Sequence, residues 1–168
     1  MTLAPKCYWQ MFYNCKKLQA APDLPATTLA QDCYTSMFSR CENLTVAPEV
    51  LPATTLVKSC YNEMFYGCKN LEVAPELPAT TLADGCYYSM FNGCSKLHNI
   101  KCLATNIDAD NCVTNWVQGV ASSGCFVKAP AMASWTTGVS GIPADWIVMN
   151  DGDTPSGGSE GTSDEDWN

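Results

Sequence analysis

The chain has 168 residues, of which 46% are apolar and 15% charged, with 11 cysteines and a formal net charge of −8. The charge is lopsided: residues 1–128 hold 10 acids and 9 bases, whereas residues 129–168 hold 7 acids and no base. The composition therefore speaks against nucleic acid as a partner, and no apolar run approaches the ~18 residues of a transmembrane helix.

The chain opens on Met1-Thr2-Leu3, which is in phase with the later Thr28-Leu29 and Thr55-Leu56. No charged-then-apolar leader precedes it. The sequence thus reads as a fragment that begins inside a repeat, with any export signal expected upstream. The repeat follows at once. Its first cysteines are Cys7, Cys33, Cys60 and Cys86, and its second are Cys15, Cys41, Cys68 and Cys94. Both series step by 26, 27 and 26 residues. A period of this length with apolar residues at fixed phase indicates stacked units, each burying its apolar face against its neighbours.

The units are 7–32, 33–59, 60–85 and 86–101. In each, Cys-Tyr-x-x-Met-Phe places Cys and Met, then Tyr and Phe, at i and i+4. That spacing predicts about two turns of helix, partly 3₁₀. Asp32, Ser59 and Asp84 stand where N-caps would, and Gly67 and Gly93 where helix stops would. The following Leu-x-Val-Ala-Pro and Leu-Pro-Ala-Thr-Thr-Leu stretches read as short strands limited by proline. Val50 is an extra residue absorbed in a turn. The last unit leaves the pattern after Leu97. Residues 102–148, with Trp116, Trp135 and Trp146, read as a cap over the last apolar face, and 149–168 as a flexible acidic tail. The first domain is thus 1–101. Eight of the cysteines recur in register with Met, Phe and Leu, which favours buried thiol columns over disulfides.

The run Cys-Tyr-x-x-Met-Phe-x-Gly-Cys-x-x-Leu, followed by an extended proline-containing stretch, resembles the BspA-like leucine-rich repeats of surface proteins from anaerobic bacteria and some protozoa. The match covers residues 2–101. The stretches from Ile100 to Asn106, Trp116 to Gly124 and Gly141 to Trp146 look like the module that often closes such arrays. The resemblance implies an α/β fold: a right-handed leucine-rich-repeat solenoid of short strands and short helices, about four repeats plus the cap. It also implies cell-surface or extracellular exposure, and adhesion to a host or neighbouring-cell protein or glycan. It brings no catalytic residues.

Chemistry is sparse. The one histidine, His98, forms Cys94-x3-His98-x3-Cys102-x9-Cys112, a set whose soft ligands would suit zinc. Cys94, however, belongs to the repeat, where its equivalents have no histidine nearby, so a surface histidine and no metal is the expected state. No nucleophile motif accompanies it, and no enzyme and no cofactor are expected. Asp23, Glu49 and Glu76 recur after Ala-Pro and read as a solvated turn rather than a calcium site. Trp9, Tyr13, Tyr66 and Tyr88 are aromatic residues at varying positions, and they are the expected ligand-binding surface. The expected function is a non-enzymatic extracellular binding and adhesion module; the alternative is a structural spacer in a cell-surface or phage virion protein.

Overall fold

The protein is described by a computed structural model covering residues 2–133 and 135–153. The α/β leucine-rich-repeat solenoid expected from the sequence is overturned. Among the described residues there is no helix, and the strands are three: β1 (Asn99–Cys102), β2 (Cys125–Lys128) and β3 (Ile147–Asn150). They form one parallel sheet in the order β1-β2-β3, with Asn99 opposite Cys125 and Cys125 opposite Ile147.

What replaces the helix is a ribbon of overlapping β-turns. In the first unit the N–H groups of Cys7, Trp9, Met11, Tyr13 and Cys15 each donate to the carbonyl three residues back. The N–H groups between them, on Lys6, Tyr8, Gln10, Phe12 and Asn14, donate instead to Gln31, Cys33, Thr35, Met37 and Ser39 of the next unit. Half of the donors are thus satisfied locally and half by the neighbour, which accounts for every N–H of the ribbon. Lys6, Gln10 and Asn14 have φ of 59°, 56° and 59°. Each is the third residue of its turn, the position where a type II turn demands positive φ. The same geometry recurs at Asp32, Ser36 and Arg40, at Ser59, Glu63 and Gly67, and at Gly85, Ser89 and Gly93. Asp32 and Ser59 are therefore turn residues rather than N-caps, and Gly67 and Gly93 stop no helix.

The reason the helix expectation fails is a coincidence of periods. The ribbon repeats every four residues, with two side chains inward and two outward. An α-helix repeats every 3.6 residues, and over the eight steps from Cys7 to Cys15 it would rotate the second cysteine about 80° off the first. Across so short a stretch the i, i+4 pairs look alike in both.

The ribbon reappears a fifth time inside the segment expected to cap the array. Asn111, Asn115 and Gly119 have φ of 55°, 53° and 73°. The N–H groups of Gly85, Tyr87, Ser89, Phe91 and Gly93 donate to Asp110, Cys112, Thr114, Trp116 and Gln118. The five ribbons lie at 5–15, 31–41, 58–68, 84–94 and 110–119.

Like residues stack inside. Tyr8, Tyr34, Tyr61 and Tyr87 form one column, with ring centroids 5.4, 5.8 and 6.2 Å apart. Phe12, Phe38, Phe65 and Phe91 form another at 5.5, 5.5 and 5.8 Å. Both columns reach Trp116, which stacks on Tyr87 at 6.1 Å and tilts over Phe91 at 6.2 Å. Trp135 stacks on the far face of the core at 5.6 Å from Trp116, and Phe126 meets both tryptophans edge-on. The indole N–H of Trp116 donates to the Gly141 carbonyl and that of Trp146 to Ala121, each at 2.8 Å.

Prolines decide where strands form. In the earlier units the stretch after the ribbon makes only isolated parallel bridges, such as Ala20 with Val46 and Val73 with Asn99. Pro48, two residues past Val46, lacks the N–H that would extend the bridge with Ala20. The stretch His98–Leu103 carries no proline, and there the ladder lengthens into β1. This stretch keeps the packing of the earlier units: Cys102 and Ala104 are fully buried, as are Leu77 and Ala79 at the preceding level. Among the described residues no helix is long and apolar enough to cross a membrane. Of the expected acidic tail, residues 154–168 lie outside the described residues.

Gly93 illustrates the constraint on the ribbon. Its φ is +78°, and a Cβ there would lie 3.5 Å from the Gly67 Cα, ordinary van der Waals distance. The penalty for a larger residue is thus conformational rather than steric. Gly93→Val is expected to lower stability by roughly 1–3 kcal/mol, because a β-branched residue is strained at positive φ. Chemical denaturation checks this; an unchanged midpoint would contradict the assigned backbone.

Candidate functional site

The ribbon turns two of every four side chains outward, so outward residues at equal phase in successive units line up in columns. Trp9 shares a column with Thr35, Asn62, Tyr88 and Thr114, and Tyr13 shares the adjacent one with Ser39, Tyr66, Asn92 and Gln118. Trp9 is 52% exposed and Tyr13 41%, whereas Tyr66 and Tyr88 are half-buried. Trp9 and Tyr88 are three levels apart, about 14 Å at the ~4.8 Å spacing of hydrogen-bonded neighbours. The four aromatic residues thus occupy two columns with small polar residues between them.

Tyr88 lies in a groove that spans three ribbons, lined by Lys58, Ser59, Asn62, Asp84, Gly85, Tyr88, Asp110 and Asn111. Stacking creates this set. Lys58, Asp84 and Asp110 occupy one phase, and Ser59, Gly85 and Asn111 the next. The groove combines an aromatic face, two carboxylates, two side-chain amides and an ammonium group. Tyr88 was legible in the sequence as an aromatic residue at a polar phase. Asp84, Asp110 and Asn62 were missed, although the 26-residue step from Asp84 to Asp110 was there to be read.

A second groove holds His98, Asn99, Ala121, Ser123, Gly124, Cys125, Asp145 and Ile147. It brings an imidazole, a thiol and a carboxylate to one surface, but no hydrogen bond joins the three. The His98 Nδ1 lies 2.9 Å from the Lys96 carbonyl. The sequence-derived zinc set is not assembled. Among the described residues no three His, Cys, Asp or Glu side chains converge as metal ligands. Cys94 Sγ instead donates to the Phe65 carbonyl at 3.0 Å, and Cys112 Sγ to the Ile107 carbonyl at 3.2 Å. Cys102 is fully buried, and His98 is exposed.

The thiols are all free. Eight are buried, and only Cys7 and Cys15 are exposed. Burial pushes Cys60, Cys94 and Cys102 up to about 12 and Cys33 to about 11. Such thiols remain protonated at neutral pH and are poor nucleophiles. Of the carboxylate column, Glu76 is ion-paired: it lies 3.4 Å from Lys101, which also meets Asp151 at 3.0 Å, whereas Asp23 and Glu49 make no ion pair among the described residues. On another face Glu42 bridges Lys16 at 2.6 Å and Lys69 at 3.3 Å. Hydrogen bonds from Lys16, then from Lys69, hold the Glu42 carboxyl below its ordinary value.

No protein-family model matches this chain, and neither a curated protein nor a solved structure is significantly similar to it.

Proposed function

We propose that the chain is a non-enzymatic binding module that takes a glycan in the Tyr88 groove, with a protein surface as the alternative ligand. The observation that supports this reading is the grouping of Tyr88 with Asn62, Asp84, Asp110 and Asn111 on one outward face. An aromatic ring offers a flat apolar face to a sugar ring, while carboxylates and amides pair with its hydroxyls. Eight of the thiols are buried, and among the described residues no hydrogen bond links the exposed imidazole to a thiol or a carboxylate. Placement outside the cell is part of the proposal and rests on the repeat motif; labelling of intact cells with an impermeant reagent would test it.

Binding to arrayed glycans and to candidate surface proteins, measured for the folded chain, tests the proposal directly. Tyr88→Ala is expected to weaken the selected ligand by about 2 kcal/mol, some thirtyfold, as central aromatic residues do. Asp84→Asn should weaken it as well, while Lys96→Ala, an exposed position past the end of the fourth ribbon and not among the groove residues, should not. Ligand binding that survives both groove substitutions would sink the assignment. Binding to neither class of ligand would leave the spacer as the better account.

A further inference from the structure

The N-terminal end of the stack differs from every level behind it. In the second ribbon and the leucine that follows it, Cys33, Tyr34, Met37, Phe38, Cys41 and Leu44 are at most 2% exposed. Their equivalents Cys7, Tyr8, Met11, Phe12, Cys15 and Leu18 are exposed or half-exposed, Met11 at 58%. The backbone there also has a polarity. At each of the four junctions between ribbons, the earlier ribbon donates N–H groups and the later one accepts. The carbonyls of Cys7, Trp9, Met11 and Tyr13, equivalents of the accepting Cys33, Thr35, Met37 and Ser39, receive no backbone hydrogen bond from the described residues.

We propose that this end face is a docking surface for one further ribbon of the same kind, whose alternate N–H groups meet those carbonyls and whose Tyr and Phe extend the two aromatic columns. The junctions inside the molecule are the template for this contact: each pairs a row of donors with a row of acceptors and stacks like rings. A second copy of the same face does not fit, because it would set carbonyl against carbonyl. The opposite end of another copy does not fit either. There the Val117 N–H is bonded to Val139, the Asn115 N–H to Ser140, and Trp135 covers Trp116. The ion-pair column specifies the partner further. Lys16 and Lys69 flank Glu42, so an acidic residue just after the incoming ribbon's second cysteine would continue the alternation.

The test fuses a copy of residues 27–53 ahead of Met1. That copy preserves the 27-residue step found between Cys33 and Cys60 and brings its own Glu42 level with Lys16. Alkylation of Cys7 and Cys15 is then followed by mass spectrometry under native conditions. In the unaltered chain both should react far faster than buried Cys60. In the fusion they are expected to slow by roughly tenfold or more, since reaction now requires opening of the junction. A fusion whose copy carries Tyr34→Ser and Phe38→Ser should not protect them. Unchanged Cys7 reactivity while Cys60 stays protected would overturn the proposal. Equal protection by the substituted copy would do so too, as would a dimer of the unaltered chain that shields Cys7.

Discussion

Raising the pH from about 7 to about 10 should cost this protein several kcal/mol of stability. Four thiols carry the argument. In the folded chain Cys33 keeps its proton up to about 11, and Cys60, Cys94 and Cys102 up to about 12, because burial disfavours the thiolate. In the unfolded chain each releases it near the ordinary value of 9.0. Above that value the unfolded state binds fewer protons than the folded one, so stability falls with pH. The contribution is complete below about 9 and is lost as the pH climbs toward 11 or 12. One pH unit above the unfolded value each thiol costs about 1.4 kcal/mol, and the four together roughly 5 kcal/mol. That is comparable with the whole stability of a typical domain. Cys68 and Cys86 are pushed higher still, also by burial, and add in the same direction. Denaturant midpoints measured under reductant at several alkaline pH values check this. A flat profile to about pH 10 would mean that the cysteine columns are open to water.

The second large effect is expected at Phe65. Its side chain is fully buried, with its ring 5.5 Å from that of Phe38 and 5.8 Å from that of Phe91. Phe65→Ala removes a ring that is covered on both faces, and the fixed backbone of the ribbons limits how far the neighbours can close the gap. A loss of roughly 3–5 kcal/mol is expected, from lost burial plus the residual cavity. Phe12→Ala provides the internal comparison. Phe12 stacks on one neighbour only and is half-exposed, so its loss should be clearly smaller. Equal losses at the two positions would contradict the stacked column.

How the ribbon escaped a reading of the sequence can be seen residue by residue. The clue was present. The residue before each inward Cys or Met is Lys6, Gln10, Asn14, Asp32, Ser36, Arg40, Ser59, Glu63, Gly67 and so on, never apolar and never β-branched. The classes excluded are those most strained at positive φ, and a helix would have no reason to exclude Val or Leu from every one of these positions. The fifth ribbon was harder to find. Val113, Trp116 and Val117 stand where Tyr87, Met90 and Phe91 stand one level earlier, so Cys112 and Gly119 are the only identities left at its inward and closing positions. The groove was legible in Tyr88 alone, because Asp84, Asp110 and Asn62 acquire a shared surface only when their ribbons are stacked.

Sequence alone determined the 26- and 27-residue step, the inward Cys, Tyr, Met, Phe and Leu phases, and the outward phases that vary. These follow from side-chain chemistry, which is written into each residue. The tertiary structure decided that the inward phases are carried by turns and not by helices. It decided this because half of the ribbon's N–H groups find acceptors only on the neighbouring unit. A helix satisfies its donors within itself and can be read locally; a ribbon whose hydrogen bonds close between levels cannot be recognised until the levels are in place.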